Sequence, residues 1–303
     1  MAALLSPLSP SGPATAATPA EKGGGSRGRA RNWPFLLIVP ALLVLLAVFA
    51  YPVAQTFASA FTTPSPGTGN FAWFFGSPAN VAVLTRTFST ALWATVICLC
   101  LAYPYAYLMT VASPRARATL LLIVMLPFWT SLMVRTFAWL VLLQDTGLVN
   151  GFLGLLGLGP VSLVRTQTGV LIGMVQILMP FMVLPLYSVM SGIDRRLLTA
   201  AQSLGARPLV ALLRVFVPLS LPGVAAGATM VFITSLGFYV TPALLGSPSE
   251  ALISQFMYTQ VSGMLMWGRG GAMAVVLFAA TLLLIGLLGL AMRAGRRGKA
   301  GAR

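Results

Sequence analysis

The sequence predicts an all-α integral membrane protein of six transmembrane helices. Three observations carry that prediction. Of the 303 residues, 58% are hydrophobic and 8% charged, where soluble domains carry about 25% charged residues. The mean hydropathy is +0.91. Apolar runs of about 20 residues, long enough to cross a hydrocarbon core, also recur along the chain, with short basic segments between them.

Taken in order, the spans are expected at about residues 33–53, 87–110, 118–143, 169–190, 219–245 and 271–292. Several contain proline, which a bundle tolerates because neighbouring helices and waters satisfy the freed backbone groups. Lys and Arg set the orientation. With both termini inside, fifteen basic residues fall on the cytoplasmic side, three (Arg86, Arg165, Arg269) on the outer side, and Arg135 inside the third span. Such a bias requires an even number of spans. Residues 1–31, rich in Ala, Pro, Ser and Gly, are expected as a disordered cytoplasmic tail. Residues 32–293 form the membrane domain, with a cytoplasmic segment at about 191–222, and residues 294–303 form a basic cytoplasmic tail. The apolar stretch before Ala58-Ser59-Ala60 is longer than the ~7–15 residues of a signal core, so the first span is expected to be retained.

Composition also excludes chemistry. The chain has no histidine, which removes Ser–His and Cys–His nucleophile pairs and histidine-ligated metal or haem. It has no GxxxxGK[ST] phosphate loop. Neither a catalytic residue nor a bound cofactor or metal is expected. Cys98 and Cys100, two positions apart on a helix, face different directions. The net charge of +15 lies between and beyond apolar runs; it therefore points to a lipid surface and not to nucleic acid. A gradient-driven secondary transporter fits six spans as well. A membrane enzyme fits less well, because no expected span contains a carboxylate.

The cytoplasmic segment includes TAAQSLGARPLVALLRVFVPLSLPG. Asp194 suits a helix N-cap. Leu197, Ala201 and Leu204, with Leu198 and Ala200 alongside, make an apolar face at helical spacing. Gly205 suits the left-handed residue that ends a helix, and Pro208 suits the first turn of the next. Pro218 and Pro222 are expected to mark re-entry into the bilayer. By pattern alone, this is either an amphipathic helix on the lipid surface, with Arg195, Arg196 and Arg207 near headgroups, or a docking element for a soluble partner.

Thr199-Ala200-Ala201, then Gly205, then Val217-Pro218-Leu219-Ser220-Leu221-Pro222-Gly223 resemble the cytoplasmic signature loop of bacterial ABC-importer permeases. LPFWTSLMVRTFAWLVLLQDTGLVN, LMPFMVLPLYSVM and SLGFYVTPALLG resemble the spermidine/putrescine-type subgroup, and the likeness covers most of residues 33–293. The resemblance implies the type I importer permease fold in a bacterial inner membrane, working by alternating access. It implies three partners: a second permease, a dimeric cytoplasmic ATP-binding subunit that uses ATP and Mg, and an outer substrate-binding protein. It assigns coupling to Thr199, Ala200, Ala201, Leu204, Gly205, Pro218 and Pro222. Thr199 stands where the family usually has glutamate. The solute implied is a polyamine, or another small organic ligand such as an opine or phosphonate.

Recognition of a polycation would use aromatic faces and carboxylates. The candidates are Trp129, Trp139, Tyr187, Phe238 and Tyr239, with Asp145, which is an outer-side carboxylate along with Glu250. Arg135 is a charge within a span, and such residues face protein or water. It is a pathway candidate, but it would repel a polycation and is expected chiefly as a donor between helices. Gly223 and Gly227 form a GxxxG expected to pack closely. Ile253, Met257, Val261 and Met264 suggest a short outer helix.

Overall fold

The computed structural model describes residues 33–300, and its regular elements are all helices. The tail expected over residues 1–31 and the last residues of the basic tail, 301–303, lie outside the described residues. The chain divides into two units after Pro52. The first holds α1 (Trp33–Leu45), apolar on all sides, and a π turn over Leu46–Ala50. The helical stretch Ile38–Thr62 has the length and hydropathy of a membrane span.

Next, α2 (Tyr51–Thr62), which begins with the last two residues of the first unit, and the short α3 (Gly69–Gly76) precede the 34-residue α4 (Pro78–Val111). Pro78 occupies the first turn of α4, where a missing N–H costs nothing. The helix therefore begins well before residue 87, because hydropathy registers only its most apolar part. The third span is not one helix. It is α5 (Pro114–Met125) and α6 (Leu132–Leu142), bent by 102°. Between them Leu126–Trp129 tighten into a 3₁₀ turn, and Thr130 and Ser131 take extended backbone with ψ of 144° and 138°.

A short helix, α7 (Leu148–Leu155), lies before α8 (Gln167–Ser191). Next come α9 (Arg196–Ser203), α10 (Pro208–Ala211), a π turn over Leu212–Phe216, and α11 (Val217–Leu236). From Pro208 to Leu236 the helix is continuous. Neither Pro218 nor Pro222, expected to mark re-entry into the bilayer, breaks this helix. The Pro218 ring would meet the carbonyl four residues back, and the wide π turn directly before it makes room. Gly237 then ends the helix, and α12 (Val240–Leu245) is separate. The fifth span accordingly stops at Leu236 and not at residue 245. The expected short helix follows as α13 (Ile253–Tyr258) with a π turn. Finally, α14 (Trp267–Ala300) carries helical backbone beyond residue 292 into the expected tail. Among the described residues five helices can cross a membrane, and a sixth span arises if α5 and α6 count as one.

The core is the mutual packing of α4, α8 and α11. A row of small, fully buried residues runs along α4: Ala94, Cys98, Ala102 and Ala106. Their counterparts on α8 are large: Met174, Leu178, Met182 and Leu186. On α11 they are Gly223, Gly227 and Val231. Each set repeats every four residues, the row that forms a packing ridge on a helix. A methyl group on Gly227 would lie 2.8 Å from the Met182 sulfur and 3.1 Å from its carbonyl oxygen. The GxxxG thus serves close packing within the chain. Polar links join the same helices: Tyr103 and Ser220 share a hydroxyl–hydroxyl bond of 2.9 Å, and Gln167 donates to Thr90 at 3.1 Å. Cys98 is buried and Cys100 exposed, on different faces as expected. A second cluster joins Phe74, Ile253, Met273 and Val276 from α3, α13 and α14.

Replacing Gly227 with Leu should cost about 1–3 kcal/mol or more, because backbone atoms of α8 stand where the side chain must go. Gly286→Leu is the control, since nothing lies within 4 Å of its added Cβ. Thermal unfolding in detergent should show a lower midpoint for the first variant and an unchanged one for the second.

Candidate functional site

The segment between α8 and α11 is built from local rules. Asp194 accepts the Arg196 N–H at 2.9 Å, which starts α9. Gly205, at φ +89°, ends it. The Ala206 N–H reaches the Ala201 carbonyl at 3.1 Å and the Gly205 N–H reaches Gln202 at 2.9 Å, the pair of bonds that closes a glycine-ended helix. Pro208 then starts α10 as expected. Nothing lies within 4 Å of a Cβ placed on Gly205, so the backbone turn is what requires glycine here.

The apolar residues of the segment do not form one face. Leu198 and Ile193 pack onto the main core. Leu197 is 47% exposed and Leu204 90% exposed. Thr199, Ala200 and Gly205 are also exposed, and Ala201 is half-buried. These residues make a small knob headed by Leu204. Pro218 and Pro222 do not join it. They are exposed on α11, and Pro218 lies ten residues, about 15 Å, along the helix from Pro208.

The pathway candidates are not gathered in one place. Trp139 donates its indole N–H to the Gln176 side chain at 3.4 Å. Both line a cleft between α4, α6 and α8, with Leu101, Thr168 and Ile172. Tyr187 packs on the core eleven residues beyond Gln176, about 16 Å along α8. Trp129 is exposed at the bend between α5 and α6. Phe238 packs against the core, and its carbonyl accepts the Ser254 hydroxyl. Tyr239 lies against Tyr258, ring centroids 5.0 Å apart. Asp145 is exposed between α6 and α7.

Arg135 is half-buried on α6, next to Thr136, whose hydroxyl meets that of Thr241 at 3.4 Å. Its Nε is enclosed without a hydrogen-bond partner, so the expected bonding to carbonyls between helices is not made at that atom. The Oε2 of Glu250 is likewise enclosed and without a hydrogen-bond partner. Gln176 was not singled out in the sequence. An amide inside a strongly apolar span was the available signal.

Residues 102–294 match the family model described as binding-protein-dependent transport system inner membrane component. The chain belongs to that family. This permease is 34% identical over 253 residues to the spermidine/putrescine transport system permease protein PotB of Haemophilus influenzae, covering 83% of this chain and 87% of that one. It is 35% identical over 202 residues to PotB of Escherichia coli, covering 66% and 74%. It is also 32% identical over 230 residues to the inner membrane ABC transporter permease YdcU of Escherichia coli, covering 70% and 73%. The fold matches a chain of a bacterial ABC transporter that imports alginate, with a TM-score of 0.67 at 19% identity, covering 87% of this chain and 96% of that one. A chain of the alginate transporter in complex with its periplasmic protein matches at 0.70 and 17%, covering 85% and 93%. The architecture is therefore that of an ABC-importer permease.

The exposed knob permits a stability test. Leu204→Ser should change stability by less than about 0.5 kcal/mol, as surface substitutions do. Leu198→Ser, which removes a side chain packed on the core, should cost about 1–3 kcal/mol. Detergent melting curves of both variants would check the difference.

Proposed function

We propose that this chain is one of two permease subunits of an ATP-driven importer whose solute is a polyamine such as spermidine or putrescine. The observation that carries this reading is the 34% identity to PotB over 83% of the chain. In this reading the chain lies in a bacterial inner membrane with both termini in the cytoplasm. The charges support that orientation: Arg115, Arg117, Arg195 and Arg196 lie around the end of α4 that meets α9. A separate dimeric subunit binds ATP and Mg and docks on the knob of Thr199, Ala200, Ala201, Leu204 and Gly205. An outer binding protein delivers the solute.

The apolar cleft beside Trp139 offers a passing ammonium an aromatic side chain, to which a cation is attracted. Among the described residues no membrane-spanning helix carries a carboxylate. Charge selectivity therefore rests mainly with the binding protein or the second permease. One observation favours a second reading: Arg135, whose enclosed Nε has no hydrogen-bond partner, suits a small organic anion such as a phosphonate.

Removing the gene should abolish uptake of labelled spermidine and putrescine at low external concentration, in a strain with no redundant system, and returning it should restore uptake. Undiminished polyamine uptake would remove the solute from this reading, and assays with labelled phosphonates would then test the second. Leu204→Asp should lower uptake by about tenfold or more, the equivalent of ~1.4 kcal/mol of lost docking, with normal amounts of the chain in the membrane. Immunoblots of membrane fractions alongside the uptake assay check both parts.

A further inference from the structure

The segment that carries α9 is covalently continuous with α8 on one side and with α10 and α11 on the other. The third core helix, α4, has no such connection, because its last turn lies 85 residues from Arg195 in sequence. Yet the two are joined. The Arg195 guanidinium donates from Nη2 to the main-chain carbonyl of Thr110, and to its hydroxyl at 3.2 Å. From the other side, Arg117 donates through Nε to the Met109 carbonyl at 3.2 Å and through Nη2 to that of Ala112 at 3.5 Å.

We propose that Arg195 is a positioning residue that fastens the coupling helix α9 to the cytoplasmic end of α4, so that a displacement of α9 reaches all three core helices together. The inference rests on the coupling role proposed for α9.

The chemistry suits this role. The last carbonyls of a helix have no partner within it, and they form the negative end of its dipole, where a cation is favoured. A guanidinium nitrogen carries two N–H groups, so Nη2 alone can donate to both oxygens of Thr110. The nearby carboxylate, Asp194, is turned to the Arg196 N–H. Arg195 is exposed and contributes little to the core, which separates its effect from folding. Without the link, α9 would still move α8 and α11 through the chain, while α4 would follow only through its packing and its side-chain hydrogen bonds to those helices.

The test uses the intact importer, purified through a tag on this chain, with Cys98 and Cys100 replaced by alanine. Spin labels at Val111→Cys and Gln202→Cys, both exposed, report the distance between the end of α4 and α9. The expected result is one narrow distance, the same with and without ATP and Mg, that broadens or shifts on ATP binding in R195A. R195K, which keeps the charge and one donor, should restore the narrow distance. In proteoliposomes R195A should also raise the ATP hydrolysed per labelled spermidine by about fivefold, and adding T110V to R195A should worsen nothing further. Unchanged distances in R195A would overturn the proposal, as would an unchanged ratio in vesicles that transport spermidine. The two readings fail separately. If Leu204→Asp still assembles with the ATP-binding subunit and transports normally, the coupling role of α9 falls. If only R195A is silent, the coupling role stands and the fastening does not.

Discussion

The backbone-close contact of α4, α8 and α11 is the constraint on which the other features depend. In lipid, apolar side chains gain little by meeting each other instead of acyl chains, so helix association rests on packing and on interhelical hydrogen bonds. The chain meets this condition by pairing rows of unequal size. Ala94, Cys98, Ala102 and Ala106 offer a shallow surface on α4, and Gly223 and Gly227 do so on α11. The methionines and leucines of α8 fill the space between. The polar bonds from Tyr103 to Ser220 and from Gln167 to Thr90 then hold α4 to its neighbours on two sides. Because the contact runs the length of α8, the elements at either end inherit their places from it: α9 and α10 at one end, α12 at the other.

Proline shapes how much of each apolar run remains one helix, and its effect depends on what precedes it. Pro218 follows a π turn, and the helix passes through unbroken to Leu236. Pro127 lies in a 3₁₀ turn followed by two extended residues, and the result is a bend of 102°. The first arrangement keeps the start of the Pro208–Leu236 helix continuous with the core. The second frees α6 to pack on α12 through Thr136 and Thr241, which carries Arg135 and Trp139 to the flank of the bundle.

This contrast marks where sequence reasoning succeeds and where it stops. The number of spans was legible, because crossing hydrocarbon demands a length and polarity that composition cannot hide. The turn at Gly205 and the start at Pro208 were legible too, since each needs one residue type for one backbone reason. The bend after Trp129 was not, because both halves are equally apolar and a hydropathy window runs straight across it. The split between Leu198, packed inward, and Leu197 and Leu204, exposed, was also out of reach. On an eight-residue helix, adjacent leucines suit several orientations, and tertiary packing chooses among them. The pathway aromatics were named from residue type alone. Type does not bring them together, and the structure leaves Tyr187 about three turns of α8 away from the Trp139–Gln176 pair.

Thr199 sharpens what the exposed face of α9 can offer a partner. With threonine there, Arg195, Arg196 and Arg207 are accompanied nearby by one carboxylate, Asp194, which is engaged with a backbone N–H. In the proposed coupling, an ion pair from residue 199 is not available to hold the ATP-binding subunit. Affinity must come instead from burying Leu204 beside Ala200 and a bare glycine turn, where a partner can approach the backbone closely. Burial of one leucine is worth about 1.5–3 kcal/mol. An exposed salt bridge contributes about 0–1 kcal/mol. In the proposed coupling the missing carboxylate is therefore the smaller term and the burial of Leu204 the larger.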